Sequence, residues 1–265
     1  MSYREIQVVT GGDTGEIGEL ILARPHARNA MTDTMGAEVQ RAVAELDAQP
    51  RLRAVLVRGE GEAFSAGGDF AMLAERARHG QAENRAAMRA FYERFLSVRA
   101  LRVPTIAVIA GPAIGAGLCF ALACDLRLAA ADVKLAASFV RLGLHPGMGA
   151  TFFLPRLIGP AAAADLLLTG RNVDAYEALR LGLVNQVHPP EALDAAARAL
   201  AAQIAGASPL AVAQTKATLD GALERELESA LEREAEAQAA NFASADLKEA
   251  LQAINERRPP RFRGQ

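Results

Sequence analysis

The chain has 265 residues, 29 of them Lys or Arg and 31 Asp or Glu, for a formal net charge of −2. With 51% hydrophobic and 23% charged residues it has the make-up of a globular protein, and so balanced a charge leaves no global electrostatic footprint for nucleic acid or an anionic membrane. Two cysteines, Cys119 and Cys124, are too few for a disulfide framework or a four-thiolate zinc site, and tryptophan is absent. A chain of this length buries roughly 70–75% of its unfolded surface, so its core needs neither disulfide nor metal. The first residues, Met1 to Gln7, carry charge where a secretory signal would need an apolar run, which makes a cytoplasmic location the expectation.

In chain order, Ile6–Thr10, a Gly11-Gly12-Asp13 turn and Ile17–Leu22 read as a hairpin. Thr32 or Asp33 caps a helix whose apolar positions Met35, Val39, Val43 and Leu46 recur at helical spacing. Ala54–Arg58 is a short apolar run and therefore a strand. A loop from Gly59 to Gly68 leads into helical sequence from about Phe70 to Ala100, broken near Gly80. Thr105–Ala110 is the clearest buried strand, followed at once by Gly111-Pro112. The apolar stretch from Thr105 to Ala123 has the length of a membrane span, but its glycines and Pro112 divide it into a strand and a helix. Leu126–Ala129 and Val140–Leu144 read as further strands, which places Arg141 on a solvent-facing alternation. Strands alternating with helices give an α/β class with crossover connections.

After Val187 the character changes. Pro189-Pro190 and Ser208-Pro209 each open a helix, and Leu223–Ala240 is rich in Glu and Arg with no strand following. The expected division is an α/β core over residues 1–200 and a helical region over 201–265. The helical part is too Ala-rich to build a large core alone, so it is expected to pack on the core or on another subunit. Its charge run from Glu224 to Glu228 reads as a solvated helix face.

Several chemical signatures fail. Gly115-Ala-Gly117-Leu-Cys-Phe120 lacks the third glycine of a dinucleotide loop, and no Lys-Ser/Thr follows at phosphate-loop spacing. Ser65 lacks the flanking glycines of a nucleophile elbow. His26, His79, His145 and His188 are scattered, so no metal site is expected. Two small-residue loops remain, Ala63–Asp69 and Gly111–Gly117, each between a strand and a helix. Small side chains let a ligand approach the backbone, and a helix start leaves N–H groups free. Two such N–H groups from separate loops can converge on one oxygen that gains negative charge.

Taken together and in order, the segments resemble the crotonase, or enoyl-CoA hydratase/isomerase, superfamily. The resemblance rests on Arg24-Pro25 with Arg28-Asn-Ala-Met31, Phe64-Ser-Ala-Gly-Gly-Asp69, and Pro104 to Gly117. It extends through Ala123-Cys-Asp125, Leu142-Gly-Leu-His-Pro-Gly147, Leu154–Gly159, Leu168-Thr-Gly170, Ala178 with Gly182-Leu-Val184, and Glu256-Arg-Arg-Pro, nearly the whole chain. It implies a spiral of ββα units followed by C-terminal helices that form trimers or dimers of trimers. It implies an acyl-CoA thioester substrate whose coenzyme A is part of the substrate, with no separate cofactor, nucleic acid or membrane partner.

The resemblance also assigns roles. The oxyanion hole would be the backbone N–H groups of Ala66 and Ala116. Coenzyme A would lie against Arg28, Ala30, Ala66, Gly68 and Asp69, with Arg257 near a phosphate, although Asp69 also has the place of a helix cap. The family's two hydratase glutamates fall at Cys119 and Phe139, and an isomerase aspartate falls at Gly147. None of the three is acidic here. His145 is the remaining candidate acid or base. The helix from Ala82 to Ala100 and the Phe152-Phe153 pair are expected to shape the acyl pocket. The implied activity is an enolate reaction such as double-bond isomerisation, and the competing reading is a catalytically silent acyl-CoA-binding protein.

Overall fold

A computed structural model describes residues 3–10, 15–221 and 224–264. Strands β1 (Ile6–Thr10) and β2 (Ile17–Leu22) pair antiparallel, Ile6 opposite Leu22 and Thr10 opposite Gly18, as a hairpin requires; its expected turn lies outside the described residues. Helix α1 (Asp33–Asp47) follows, with the Thr32 hydroxyl accepting the Met35 N–H at 3.0 Å and Met35, Val39, Val43 and Leu46 on its buried face. Strand β3 (Ala54–Gly59) is succeeded by α2 (Phe70–Arg76) and α3 (Gln81–Leu96). The expected break between these two helices falls at Gly80, the N-cap of α3.

Strand β4 (Thr105–Ile109) is buried along its whole length, and β5 (Ala113–Ile114) leads into α4 (Ala116–Leu122), so the apolar stretch divides as its glycines imply. The remaining elements are β6 (Leu126–Ala130), β7 (Lys134–Ala136), α5 (Ala150–Thr169), β8 (Val173–Asp174), α6 (Ala175–Leu181) and β9 (Gln186–His188). Helices α7 (Pro190–Ala205), α8 (Pro209–Gly221), α9 (Glu224–Phe242) and α10 (Ala245–Asn255) complete the chain. Helix α5 is long and apolar enough to cross a membrane by composition, but Gly159 is non-helical (φ 77°) and breaks it next to Pro160.

The larger sheet runs β1-β2-β3-β4-β6-β9, parallel except for β1 with β2, and the smaller one runs β5-β7-β8. Each parallel step needs a crossover, and the helices that supply them cover the sheet, which is why β3 and β4 carry continuous apolar runs. Helix α7 runs through residue 200 and packs against β3, β4, β6 and β9. Helix α9 lies along α3, where Arg85 pairs with Glu232 and Arg89 with Glu228, while Glu226 pairs with Arg156. The expected solvated face is therefore exposed but also bound to its neighbours. Mixed α/β architecture with C-terminal helices is the expected class.

One expected strand is absent. Residues Ser138–Leu142 form a 3-10 turn, closed by Gly143 N–H to Val140 O (3.1 Å) and Leu144 N–H to Phe139 O (3.1 Å). The backbone groups a strand would offer to a neighbour are spent locally, so the apolar alternation reflects packing on both sides of a turn.

Candidate active site

The two small-residue loops are joined by main-chain hydrogen bonds. Ser65 N–H donates to Pro112 O (3.2 Å) and Ile114 N–H donates to Ser65 O (3.0 Å). Gly117 makes this approach possible, because a Cβ there would lie 2.6 Å from both Cβ and O of Ser65. The loops are anchored from beneath by two fully buried polar side chains. Asn29 Nδ2 donates to Glu60 O (2.9 Å) and Ala63 O (2.8 Å), and Ser65 Oγ donates to Asn29 O (2.8 Å). Neither anchoring role follows from the sequence pattern, since both side chains bond main-chain carbonyls distant along the chain.

The structure corrects one expected donor. Ala66 N–H donates to Arg28 O at 2.9 Å, and Gly67 N–H donates to Ser65 Oγ at 3.2 Å, so both are committed within the fold of the loops. Gly68 N–H donates to no acceptor among the described residues. Ala116, the first residue of α4, has no side-chain cap and, among the described residues, no partner for its N–H. The free pair is therefore Gly68 and Ala116, and both residues line one cavity of about 540 Å³.

Apolar side chains form most of the cavity wall: Met72 and Leu73 from α2, Met88 and Phe91 from α3, and Leu142, Leu144 and Met148 beyond β7. Helix α10 closes it with Ala250, Ala253 and Ile254. Residues of the expected pocket helix thus reach the cavity, but Phe152 and Phe153 do not line it; they are buried against each other with ring centroids 5.2 Å apart.

The two positions to which the resemblance assigns the hydratase glutamates separate. Phe139 lines the cavity beside Gly115. Cys119 is fully buried and outside the lining, and burial pushes its thiol well above the ordinary range, so it is a neutral core residue. His145 is also outside the lining: its Nδ1 lies 2.6 Å from Pro146 O, and burial lowers its pKa. The structure does not bring the candidate acid or base to the cavity. Among the described lining residues there is no carboxylate, imidazole or thiol; Tyr92, Arg141 and Arg258 are the ionisable ones.

The residues expected to meet coenzyme A also divide. Asp69 caps α2, accepting from Ala71 N–H (2.9 Å) and Met72 N–H (3.3 Å), and pairs with Arg24 at 3.1 Å. Arg28 is exposed, in a left-handed conformation at φ 50°, and Ala30 O accepts from Arg24 at 2.7 Å. Arg257 is exposed and outside the cavity lining. Its neighbour Arg258 lines the cavity and donates to Glu249 at 3.0 Å. The expected solvent-facing Arg141 is exposed and also reaches the cavity wall.

The family model for enoyl-CoA hydratase/isomerase matches residues 13–265. Mitochondrial enoyl-CoA hydratase domain-containing protein 2 of Bos taurus is 37% identical over 268 aligned positions, covering 99% of this chain and 90% of that protein. An enoyl-CoA hydratase/isomerase structure from Pseudoalteromonas atlantica is 29% identical with a TM-score of 0.86, covering 98% of this chain and 100% of that one. An enoyl-CoA hydratase structure from Mycobacterium avium subsp. paratuberculosis also has a TM-score of 0.86, at 27% identity, covering 99% and 100%. With the family model spanning nearly the full length and the fold shared end to end, the chain belongs to the enoyl-CoA hydratase/isomerase family of the crotonase superfamily.

Proposed function

We propose that the cavity binds the acyl part of a coenzyme A thioester, with its carbonyl oxygen between the N–H groups of Gly68 and Ala116. The observation that carries this reading is the pair of unspent main-chain donors on two hydrogen-bonded loops at the wall of a mostly apolar cavity. Donors held in place beforehand stabilise negative charge as it develops on the oxygen, without reorganising during the reaction. The proposed chemistry is formation of a thioester enolate, the acyl proton passing to water because no carboxylate, imidazole or thiol lines the cavity among the described residues, and double-bond isomerisation follows when water returns a proton at the other end of the conjugated system. Efficient two-glutamate hydration is disfavoured because Phe139 and Cys119 stand at the glutamate positions. Coenzyme A enters as part of the substrate, its nucleotide toward the Arg28–Ala30 loop and the Arg257 segment, with no separate cofactor or metal. A cytoplasmic homotrimer or dimer of trimers completes the proposal.

A second reading, an acyl-CoA-binding protein without turnover, is favoured by one observation: no carboxylate, imidazole or thiol lines the cavity among the described residues. Two measurements test the pair. Calorimetric titration with acyl-CoA in the absence of metal and nicotinamide is expected to show binding, and no binding overturns both readings. Exchange of the acyl α-proton into deuterated water then separates them, because only an enzyme that forms the enolate accelerates it.

A further inference from the structure

Apart from the loop N–H groups, the cavity wall holds a buried pair of polar side chains. Tyr92, on α3, and Gln238, on α9, are 2% and 4% exposed, and both line the cavity with Gly147. Tyr92 Oη donates to Gln238 Oε1 at 2.7 Å, and Gln238 Nε2 donates to His145 O at 2.8 Å. This chain of bonds orients both groups. A Cβ on Gly147 would lie 2.6 Å from Tyr92 Oη and 2.6 Å from Gln238 Nε2, so any side chain there would displace the pair. The space left open at loop residue 147 is filled by polar atoms from α3 and α9.

The remaining hydrogen-bonding capacity of the pair is specific. A phenol oxygen that has donated its proton still accepts, and an amide nitrogen that has donated once retains a second N–H. One acceptor and one donor therefore stand side by side in an apolar wall. Burial raises the Tyr92 phenol well above its ordinary value, so the group stays neutral and protonated. A neutral ligand group that both donates and accepts complements this arrangement, and a hydroxyl does so with a single atom. A carboxylate would meet no cation in the pair.

We infer that Tyr92 and Gln238 form a specificity pair for an acyl chain bearing a hydroxyl group that reaches Gly147. The inference rests on the acyl-CoA reading above and names its substrate class. Isothermal titration with hexanoyl-CoA and its positional hydroxy isomers tests it. At least one hydroxy isomer is expected to bind roughly tenfold more tightly than hexanoyl-CoA, the effect of about one well-formed hydrogen bond. In Tyr92→Phe that advantage should disappear while hexanoyl-CoA affinity is retained; a purely structural role would weaken both ligands together. Gln238→Met, which loses the second N–H, provides an independent check if the Phe variant folds poorly. Hexanoyl-CoA binding without a preference for any hydroxy isomer, or a preference unchanged in the folded variants, overturns the inference and leaves the acyl-CoA reading standing. Absence of binding by every thioester overturns that reading and the inference with it.

Discussion

Replacing Gly68 by proline deletes one N–H from the proposed oxyanion hole, whereas Gly68→Ala keeps it. A Cβ at residue 68 meets Leu73 no closer than 3.6 Å, so the alanine variant is a fair steric control. Gly68→Pro should lower turnover by about 10²–10³-fold, the usual effect of losing one such donor, while Gly68→Ala stays near the parent rate. Equal rates for the two would remove Gly68 from the hole. A cavity with no carboxylate among its described lining residues makes a second prediction at this scale. Positioned acid–base groups contribute about 10²–10⁴-fold, so crotonyl-CoA hydration, followed by loss of ultraviolet absorbance, should be slower than in a two-glutamate hydratase by at least about 10²-fold. Phe139→Glu places a carboxylate at the cavity wall and should raise the rate. Cys119→Glu instead buries a charge in the core and should lower the melting temperature without restoring hydration.

Helices α5 and α9 are joined by a buried carboxylate. Glu234 accepts from Gly149 N–H (2.7 Å), Thr151 N–H (2.8 Å) and Thr151 Oγ1 (2.5 Å), which supplies the start of α5 with the cap its own sequence lacks. Burial raises the pKa of this carboxyl from 4.5 to about 7 despite those donors. Between these two values the folded chain holds a proton that the unfolded chain has released. Stability should therefore fall as pH rises from about 4.5 to about 7 and then level off, by at most about 3 kcal/mol from this group. Urea denaturation across that range should show the slope in the parent chain and its loss in Glu234→Gln. The same slope in both proteins would assign it to other groups.

For the whole molecule, the C-terminal helices are unequally used by a single chain. Helix α9 buries Leu227, Leu231, Ala235 and Phe242, but α8 buries only Lys216 among its described side chains and exposes Leu210 and Leu219. Lys216 pairs with Asp125 at 2.7 Å, which anchors α8 to the start of β6, leaving its apolar residues facing outward. Exposed leucines on an anchored helix suit a subunit interface. Sedimentation at micromolar concentration should give a trimer or a dimer of trimers, and a monomer would refute the assignment.

Local signals made much of this protein legible. The Thr32 cap and the helical spacing from Met35 to Leu46 specify α1, while the β-branched run at Thr105 specifies β4, because propensity and burial agree there. The ordered loop motifs likewise identify the two strand–helix junctions and the family. Which N–H remains free within one of those loops is a different kind of fact. Ala66 and Gly68 are both small loop residues, and only the approach of Arg28 O consumes one donor and spares the other. Tyr92, Gln238 and Gly147 are far apart along the chain and become one polar site through the packing of α3 on α9. Residue order and periodicity encode the elements, but the partners of individual hydrogen-bonding groups depend on distances across the fold.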